Sequence, residues 1–280
     1  MNRGQKMNGS RVLITGAGSG LGRRMAMEAA LRGAEVIIWD LSTDGAEAVR
    51  DEIIAAGGKA QAFTVNVTDQ HAVADAAVQV GRVDVVINNA GIVTGTKLLD
   101  ATEAQIRRTF EVNTLALYWV TRAFLGGMIE RESGAVVTIA SAAGLVGVAR
   151  QTDYSASKFA AFGFTESLRN ELRTDGHSVG TLVVCPYYID TGMFDGVGTK
   201  FPRLLPILKE ATVATRVIDS IERGREQLIM PWLARVMPAT RILPGRGFDR
   251  VMDFFGINHT MDHFVGRTVP TPSRAEGNQS

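Results

Sequence analysis

The sequence predicts an α/β fold, a doubly wound parallel sheet of about seven strands with helices on both faces and a helical C-terminal extension. Two observations lead to this prediction. Apolar runs typical of buried strands alternate with helix-like runs from residue 11 onward. A glycine-rich turn, Thr15 to Gly22, follows the first strand and opens the first helix. Since 45% of the 280 residues are hydrophobic and 21% are charged, the chain can bury a sizeable core.

The predicted elements follow one another without an internal repeat or an interdomain linker. Strands are predicted at 11–15, 35–39, 59–65, 82–87, 134–140, 178–185 and 227–230, and most of these runs are rich in Val or Ile. Between them, helices are predicted from the glycine turn to residue 31 and at 43–56, 69–79, 102–131 and 154–174. We expect a flexible N-terminus (1–9), a single domain (10–230), an apolar extension of short amphipathic helices (231–266) and a disordered tail (267–280).

Composition excludes several classes of function. A net charge of +1 without a local cluster of Lys and Arg offers nothing to a nucleic acid. The single cysteine, Cys185, excludes an internal disulfide and suits a reducing compartment. His259 and His263 have helical spacing but no evident third ligand, so no metal is predicted. Because no 18-residue apolar run occurs, we expect a cytoplasmic protein, with peripheral attachment at the inner membrane face left open.

The glycine turn and an acidic residue beyond it predict a dinucleotide site. Glycines at 16, 20 and 22 allow a tight turn and let a pyrophosphate approach the helix N-terminus, although a merely flexible turn is the alternative. Asp40 ends the second strand, where a carboxylate can accept hydrogen bonds from the adenosine ribose and repel a 2′-phosphate. With no cation at Ala17 or Leu41, NAD is favoured over NADP; capping of the next helix is the alternative for Asp40.

Tyr154 and Lys158 predict an acid/base pair. Four residues apart on a helix, they share one face, and a nearby ammonium lowers the pKa of a phenol. Alone, the spacing is also compatible with a packed aromatic ring and a solvated surface charge.

Taken together, the motifs resemble the short-chain dehydrogenase/reductase family over about residues 10–265. The matching features are Thr-Gly-x-x-x-Gly-x-Gly at 15–22, Asn88-Asn89-Ala90-Gly91, Asn113, Ser141, and Tyr154 with Lys158. The resemblance implies a Rossmann-type fold in which Tyr154 is the general acid/base, Lys158 holds the nicotinamide ribose, Ser141 binds the substrate oxygen and Asn113 holds a water molecule. The implied cofactor contacts are Gly16, Ser19, Gly20, Leu21, Gly22, Asp40, Asn66, Val67, Asn89, Ala90, Gly91, Tyr154, Lys158, Ile189 and Thr191.

The sequence departs from the family pattern at two places. Asn66-Val67 stands where Asp-Val usually meets the adenine, and little loss is expected there. Tyr187 replaces a common glycine after Pro186 and is expected to project near the substrate. The run from Cys185 to Phe194 and the apolar C-terminal segment resemble the epidermal retinol dehydrogenase branch, related to membrane-associated 17β-hydroxysteroid dehydrogenases. The implied substrate residues are Ser141, Tyr154, Tyr187 and Phe194.

We therefore expect an NAD-dependent oxidoreductase acting on the alcohol or carbonyl group of an apolar substrate, such as a retinol-like, steroid-like or long-chain alcohol. The alternatives are a carbonyl reductase for small or acyl-carrier-linked ketones and a cofactor-binding regulator with the same fold. The resemblance also implies a homodimer or homotetramer formed through helices 102–131 and 154–174. The C-terminal segment could meet a membrane surface, a partner subunit or the protein's own core.

Overall fold

A computed structural model describes residues 4–266. The strands are β1 Arg11–Thr15, β2 Glu35–Asp40, β3 Lys59–Thr64, β4 Val85–Asn88, β5 Ala135–Ile139, β6 Gly180–Pro186, β7 Ile189–Asp190, β8 Leu208–Lys209 and β9 Gln227–Met230. The α-helices are α1 Gly20–Leu31, α2 Thr43–Ala55, α3 Gln70–Val80, α4 Glu103–Phe110, α5 Ala116–Glu130, α6 Thr152–Thr174, α7 Glu210–Glu222 and α8 Gly245–Phe254. The strands of the main sheet begin and end within three residues of their predicted bounds.

The main sheet is parallel throughout and has the order β3-β2-β1-β4-β5-β6-β9. The predicted seven-stranded doubly wound sheet is therefore confirmed. Helices α1, α2 and α7 cover one face, and α3, α5 and α6 cover the other. From β1 the chain adds strands first toward one edge of the sheet and then, from β4 onward, toward the other edge. This switch opens a crevice beyond the carboxyl ends of β1 and β4, where α/β proteins bind ligands.

One predicted helix is interrupted. Instead of a single helix over 102–131, α4 leads into a π-helical turn, Glu111–Leu115, before α5 begins. Thr102 starts α4 with a capping box to Gln105. The π turn contains Asn113, one of the predicted site residues, and such turns are frequent at functional sites. Sequence patterns did not predict this turn, the helix α7, or the small sheet formed by β7 and β8.

The N-terminal residues that the structure describes, 4–9, lie against the domain, which differs from the flexible segment we expected. Met7 is fully buried, and its backbone N–H donates to Glu222 at 3.2 Å. The N–H of Gln5 donates to the carbonyl of Ile221 at 3.1 Å. Burial of the Met7 side chain holds this segment against the domain. The expected disordered tail, 267–280, lies outside the described residues.

The C-terminal segment, residues 231–266, crosses the carboxyl end of the sheet. It contains α8 and three short 3₁₀ turns, Trp232–Arg235, Met237–Ile242 and Ile257–His259. Its inward side chains share an apolar cluster with the end of β6; they are Ala234, Met237, Met252, Ile257 and Met261. Across residues 4–266, no helix combines the length and apolar character needed to span a bilayer.

Candidate active site

The glycine turn between β1 and α1 lets a ligand approach its backbone because glycines carry no side chains. A side chain at Gly16 or Gly22 would clash with neighbouring backbone atoms. A Cβ on Gly22 would stand 2.2 Å from the carbonyl oxygen of Gly16, and one on Gly16 would stand 2.9 Å from Ala90 Cα. Gly16 also has a φ of +64°, which only glycine adopts easily. The backbone thus packs onto itself and turns toward the start of α1, as a pyrophosphate site requires.

Asn89 fastens the end of β4 to this turn. Its side-chain amide donates to the carbonyl oxygens of Thr15 and Gly16 at 2.9 and 3.0 Å. The Thr15 hydroxyl in turn accepts from the N–H groups of Asn89 and Ala90 at 3.0 and 3.1 Å. These four bonds join the two strands on either side of the crevice.

Asp40 supports the same turn. Its carboxylate accepts from the N–H of Gly18 at 2.8 Å and from the N–H of Ser42 at 2.9 Å. Ser42, rather than Asp40, caps α2 by accepting from Gly45 at 3.1 Å. A carboxylate offers about four acceptor positions, so Asp40 retains capacity for the hydroxyls of a ribose.

A cavity of about 800 Å³ runs from this turn along the carboxyl ends of the strands. Every predicted cofactor and substrate residue lines this cavity. Among the predicted catalytic residues, Ser141, Tyr154 and Lys158 line it and Asn113 does not. Three charged side chains reach its wall: Asp40, Arg108 and Lys158. The glycine cradle, the carboxylate and the length of the crevice fit a nicotinamide dinucleotide.

Tyr154, Ser141 and Lys158 meet at the other end of the cavity. Ser141 follows β5, Tyr154 and Lys158 lie in the first turns of α6, and the Ser141 hydroxyl lies close enough to the Tyr154 phenol to lower its pKa. Lys158 Nζ donates to the carbonyl oxygen of Ile139 at 2.9 Å and lies 5.7 Å from the centroid of the Tyr154 ring. Gly144 allows the segment after β5 to pack closely against α6, since a Cβ on Gly144 would stand 2.5 Å from the Lys158 carbonyl oxygen.

Burial dominates the proton affinities of this pair. Loss of solvation lowers the pKa of Lys158 to about 8 and raises the pKa of Tyr154 above that of a free phenol, although the nearby Ser141 hydroxyl opposes the rise. Both residues are about 5% exposed. The expected net lowering of the Tyr154 pKa by the ammonium is absent in the chain alone: desolvation of the phenolate sets the direction of the shift, and Lys158 is not among its causes.

Asn113 holds the loop after β4 against α6. Its carbonyl oxygen accepts from the N–H of Ile92 at 2.9 Å, and its amide donates to the Ile92 carbonyl at 2.9 Å and to Ser157 Oγ at 3.0 Å. Both amide hydrogens are thus engaged within the protein. A water molecule between Asn113 and Lys158, as the resemblance implied, would have to use carbonyl oxygens of this residue.

The sequence profile described as short chain dehydrogenase matches residues 10–200. The chain belongs to the short-chain dehydrogenase family. It is 41% identical over 264 residues to human epidermal retinol dehydrogenase 2, covering 92% of this chain and 85% of the relative. It is 35% identical over 250 residues to human estradiol 17-beta-dehydrogenase 11, covering 87% of this chain and 82% of the relative.

Solved structures of short-chain dehydrogenases share the fold. One from Burkholderia phymatum in complex with NAD has a TM-score of 0.77 and 26% identity, covering 85% of this chain and 94% of that chain. A metagenomic short-chain oxidoreductase in complex with NADP has a TM-score of 0.69 and 28% identity, covering 80% and 97%. Short-chain dehydrogenases of this fold therefore bind either cofactor.

The substrate end of this short-chain dehydrogenase is mostly apolar. Tyr187 and Phe194, predicted from the sequence, lie in its wall. Sequence reasoning missed the remaining wall residues, which are Ala142, Ala143, Val146, Val148, Gln151, Tyr188, Met193, Met237 and Ile257. Met237 and Ile257 belong to the C-terminal segment and reach the cavity only because that segment folds back over it. No local pattern could have indicated this.

Aromatic rings and one hydroxyl bond hold this wall together. The Tyr188 ring packs edge-on against Tyr187 and Phe194, with centroids 4.7 and 5.1 Å apart, and Phe194 packs against Tyr154 at 5.9 Å. The Tyr188 hydroxyl pairs with Thr260 of the C-terminal segment at 2.8 Å. The segment is thereby a fixed part of the substrate site in this short-chain dehydrogenase.

Arg108 on α4 was also missed. It lines the cavity, as Asn66 and Val67 do, and its guanidinium lies 3.5 Å from the hydroxyl of Thr68, the residue after that pair. Sequence reasoning considered only positions adjacent in sequence to the glycine turn and to β2. A cation that arrives from a helix some forty residues beyond β3 could not be placed in this site without the fold.

Proposed function

We propose that the protein is an NAD-dependent oxidoreductase that transfers hydride between nicotinamide and the alcohol or carbonyl carbon of an apolar substrate. One observation carries the proposal: the Ser141 and Tyr154 hydroxyls meet beside Lys158 at the apolar end of a dinucleotide-sized cavity. When bound, the nicotinamide cofactor supplies or accepts the hydride. The residues of the chain position the substrate oxygen and move its proton.

For carbonyl reduction, Tyr154 is ready to act as a general acid. Burial keeps the phenol protonated at neutral pH, and the phenol can give its proton to the developing alkoxide while Ser141 donates a second hydrogen bond. For alcohol oxidation, the phenol must first lose its proton. The ammonium of Lys158 favours that loss by stabilising the phenolate in a site that water does not screen.

The substrate class follows from the cavity wall. Alanine, valine, methionine, isoleucine and aromatic side chains surround the position beside Tyr154. Entry of an apolar alcohol is therefore favourable, and entry of a charged one is unfavourable. The relatives described above are named for retinol and estradiol. We therefore propose a retinol-like, steroid-like or long-chain alcohol rather than a small or acyl-carrier-linked ketone.

Turnover by the purified protein tests this function. Reduction of NAD at 340 nm is measured with a panel of retinoid, steroid and long-chain alcohols, and oxidation of NADH and NADPH with the matching carbonyls and with small and acyl-carrier-linked ketones. Turnover confined to the apolar compounds supports the proposal. Turnover confined to the small ketones favours the carbonyl reductase, and binding of NADH without any turnover favours the regulator.

We further propose that NAD is preferred over NADP, and that Asp40 sets the preference. The carboxylate accepts ribose hydroxyls and repels a 2′-phosphate. Changing Asp40 to Asn removes the charge and keeps the shape, so kcat/KM for NAD is expected to fall by about 10-fold, the loss of one charged hydrogen bond. The kcat/KM for NADP is expected to hold or rise. Kinetics with both cofactors check this, and a wild-type preference for NADP would contradict it.

We propose that the C-terminal segment meets an anionic bilayer at the inner membrane face, from the cytoplasm. Trp232 and Ile242 are 65% and 89% exposed on its outer side. Between residues 231 and 250 the segment carries four arginines and a single acidic residue, Asp249. Exposed apolar side chains beside arginines are typical of segments that lie in a bilayer interface. A lipid alcohol could then pass directly from the bilayer to the cavity that the same segment covers.

Co-sedimentation with vesicles tests this contact. The protein is expected to bind phosphatidylserine-containing vesicles more than pure phosphatidylcholine ones, and Ile242→Ser is expected to weaken binding by about 10-fold, since burying such a side chain contributes about 1.5–3 kcal/mol. Leu31→Ser is the control, because Leu31 is 83% exposed on α1, in the main domain. Equal weakening by both changes, or no vesicle binding, would refute the contact.

We also propose a homodimer or homotetramer formed through α5 and α6. Leu115, just before α5, and Tyr118 on that helix are large and nearly half exposed, and Tyr118 packs against Phe164 of α6 at 4.7 Å. Apolar exposure of this kind on paired helices is typical of subunit contacts. Light scattering is expected to give two or four times the chain mass of 30.1 kDa, and the mass of a single chain would exclude the assembly.

A further inference from the structure

Asp153 is a buried carboxylate that the catalytic steps above leave unused. It directly precedes Tyr154 in the first turn of α6 and is 6% exposed. A buried carboxylate costs free energy unless hydrogen bonds or cations compensate it. Among residues 4–266 its hydrogen-bond partners are two threonine hydroxyls from other elements.

The first hydroxyl belongs to the loop after β4. Thr94 Oγ1 lies 2.8 Å from Asp153 Oδ1 and 2.7 Å from Oδ2, so its hydrogen is shared by both oxygens. This loop starts at Gly91, where a Cβ would stand 3.4 Å from Lys158 Nζ. One residue beyond Thr94, Gly95 packs directly on the ring of Phe264 in the C-terminal segment.

The second hydroxyl belongs to α4. Thr109, which is fully buried, donates to Asp153 Oδ2 at 2.9 Å and is also 3.0 Å from the carbonyl oxygen of Gln105. The π turn with Asn113 begins two residues later. Thr109 Oγ1 has one hydrogen for two acceptors, Asp153 Oδ2 and the Gln105 carbonyl, whereas the hydrogen of Thr94 is directed at Asp153 alone.

We propose that Asp153 is a positioning residue for hydride transfer. It ties the loop that carries Gly91, beside Lys158, and the helix that leads to Asn113 onto the turn that carries Tyr154. The three segments come from separate parts of the chain, and this carboxylate is where they meet. Without it, the distance between Tyr154 and the nicotinamide face of the cavity is no longer set, and misplacement of about 1 Å can cost about 100-fold in rate.

Two matched sets of variants test the tie. Asp153→Leu keeps the side-chain shape and removes both bonds, whereas Asp153→Asn accepts from one threonine and donates to the other. Thr94→Val removes one hydroxyl, and Thr94→Ser keeps it. Thr165→Val is the control, because Thr165 is buried on the same helix and its hydroxyl bonds only to Ala161 of that helix.

The measurements are kcat, the KM for NAD, and the primary isotope effect on kcat with an alcohol deuterated at the reacting carbon. We expect Asp153→Leu and Thr94→Val to lower kcat by about 10-fold or more, with a smaller change in the KM for NAD and a larger isotope effect. We expect Asp153→Asn, Thr94→Ser and Thr165→Val to stay within about 3-fold of the wild type. Thermal melting shows which variants are folded.

The outcomes are distinct. Folded Thr94→Val and Asp153→Leu proteins with wild-type kcat and isotope effect would overturn the positioning role. If Asp153→Leu does not fold, the contrast between Thr94→Val and Thr94→Ser decides alone. Because the inference rests on the proposed oxidoreductase, a wild-type protein that turns over no alcohol overturns both, whereas an active wild type with unaffected variants overturns only the tie.

Discussion

Replacing Tyr154 with phenylalanine is expected to lower kcat by about 10²–10⁴-fold, the usual contribution of a positioned general acid or base. The change removes one oxygen. The ring keeps its edge-on contact with Phe194, so the protein should fold and melt as the wild type does. Ser141 loses the neighbouring phenol, and the substrate oxygen then has no proton donor of suitable strength. Steady-state kinetics with the best alcohol of the panel provide the measurement.

The KM for NAD separates catalysis from binding in this variant. The glycine turn, Asn89 and Asp40 are far along the cavity from Tyr154, so the KM for NAD should change by less than about 3-fold. Thr165→Val is the control, since that hydroxyl is buried further along α6 and bonds only to Ala161 of the same helix. Undiminished turnover in Tyr154→Phe would mean that another group moves the proton.

Replacing Lys158 with methionine is expected to lower kcat by about 10²-fold or more while raising the stability of the cofactor-free protein. Catalysis suffers because the phenolate of Tyr154 loses the ammonium that stabilises it. Stability rises because methionine is apolar and of similar length, so a buried charge is no longer desolvated. The lost bond to the Ile139 carbonyl, worth about 1 kcal/mol, offsets part of this gain.

The stability difference has a predicted pH dependence. The pKa of Lys158 falls from about 10.5 in the unfolded chain to about 8 in the folded one. Between these values the unfolded state binds more protons, so the free energy of unfolding of the wild type rises with pH relative to the variant. The advantage of Lys158→Met is thus fully present below pH 8 and decreases as the pH rises toward 10.5.

Chemical denaturation of both proteins at pH 7 and pH 9.5, without cofactor, measures this difference. The gap in free energy of unfolding should narrow by about 2 kcal/mol between the two, since 1.36 kcal/mol corresponds to one pKa unit. A gap that stays constant with pH would show that Lys158 is not desolvated in the folded state.

The seven-stranded parallel sheet and the cofactor turn were readable from local pattern. Strands buried on both faces require continuous Val- and Ile-rich runs, and such runs mark β1, β2 and β5 directly. The glycines of the turn are required by the approach of one backbone to another, so their spacing carries the geometry. Predicted residues that lie 132 positions apart in sequence, Gly22 and Tyr154, line one cavity.

Other features depend on contacts between distant segments and leave no local trace. The π turn at 111–115 lies within a stretch whose sequence predicts one continuous helix. It brings Asn113 onto Ile92 and Ser157. The upward shift of the Tyr154 pKa arises from complete burial, which the spacing of Tyr154 and Lys158 does not disclose. Asp153 reads in sequence as an ordinary acidic residue at a helix start.

By itself, the sequence predicted which residues carry the chemistry: the glycine turn, Asp40, Ser141, Tyr154 and Lys158, all of which line one cavity. Only the tertiary structure decided how strongly those groups hold their protons, what closes the substrate cavity and what ties its parts together. Side-chain identity is a local property, whereas desolvation and long-range packing depend on which segments of the chain come to lie around each group.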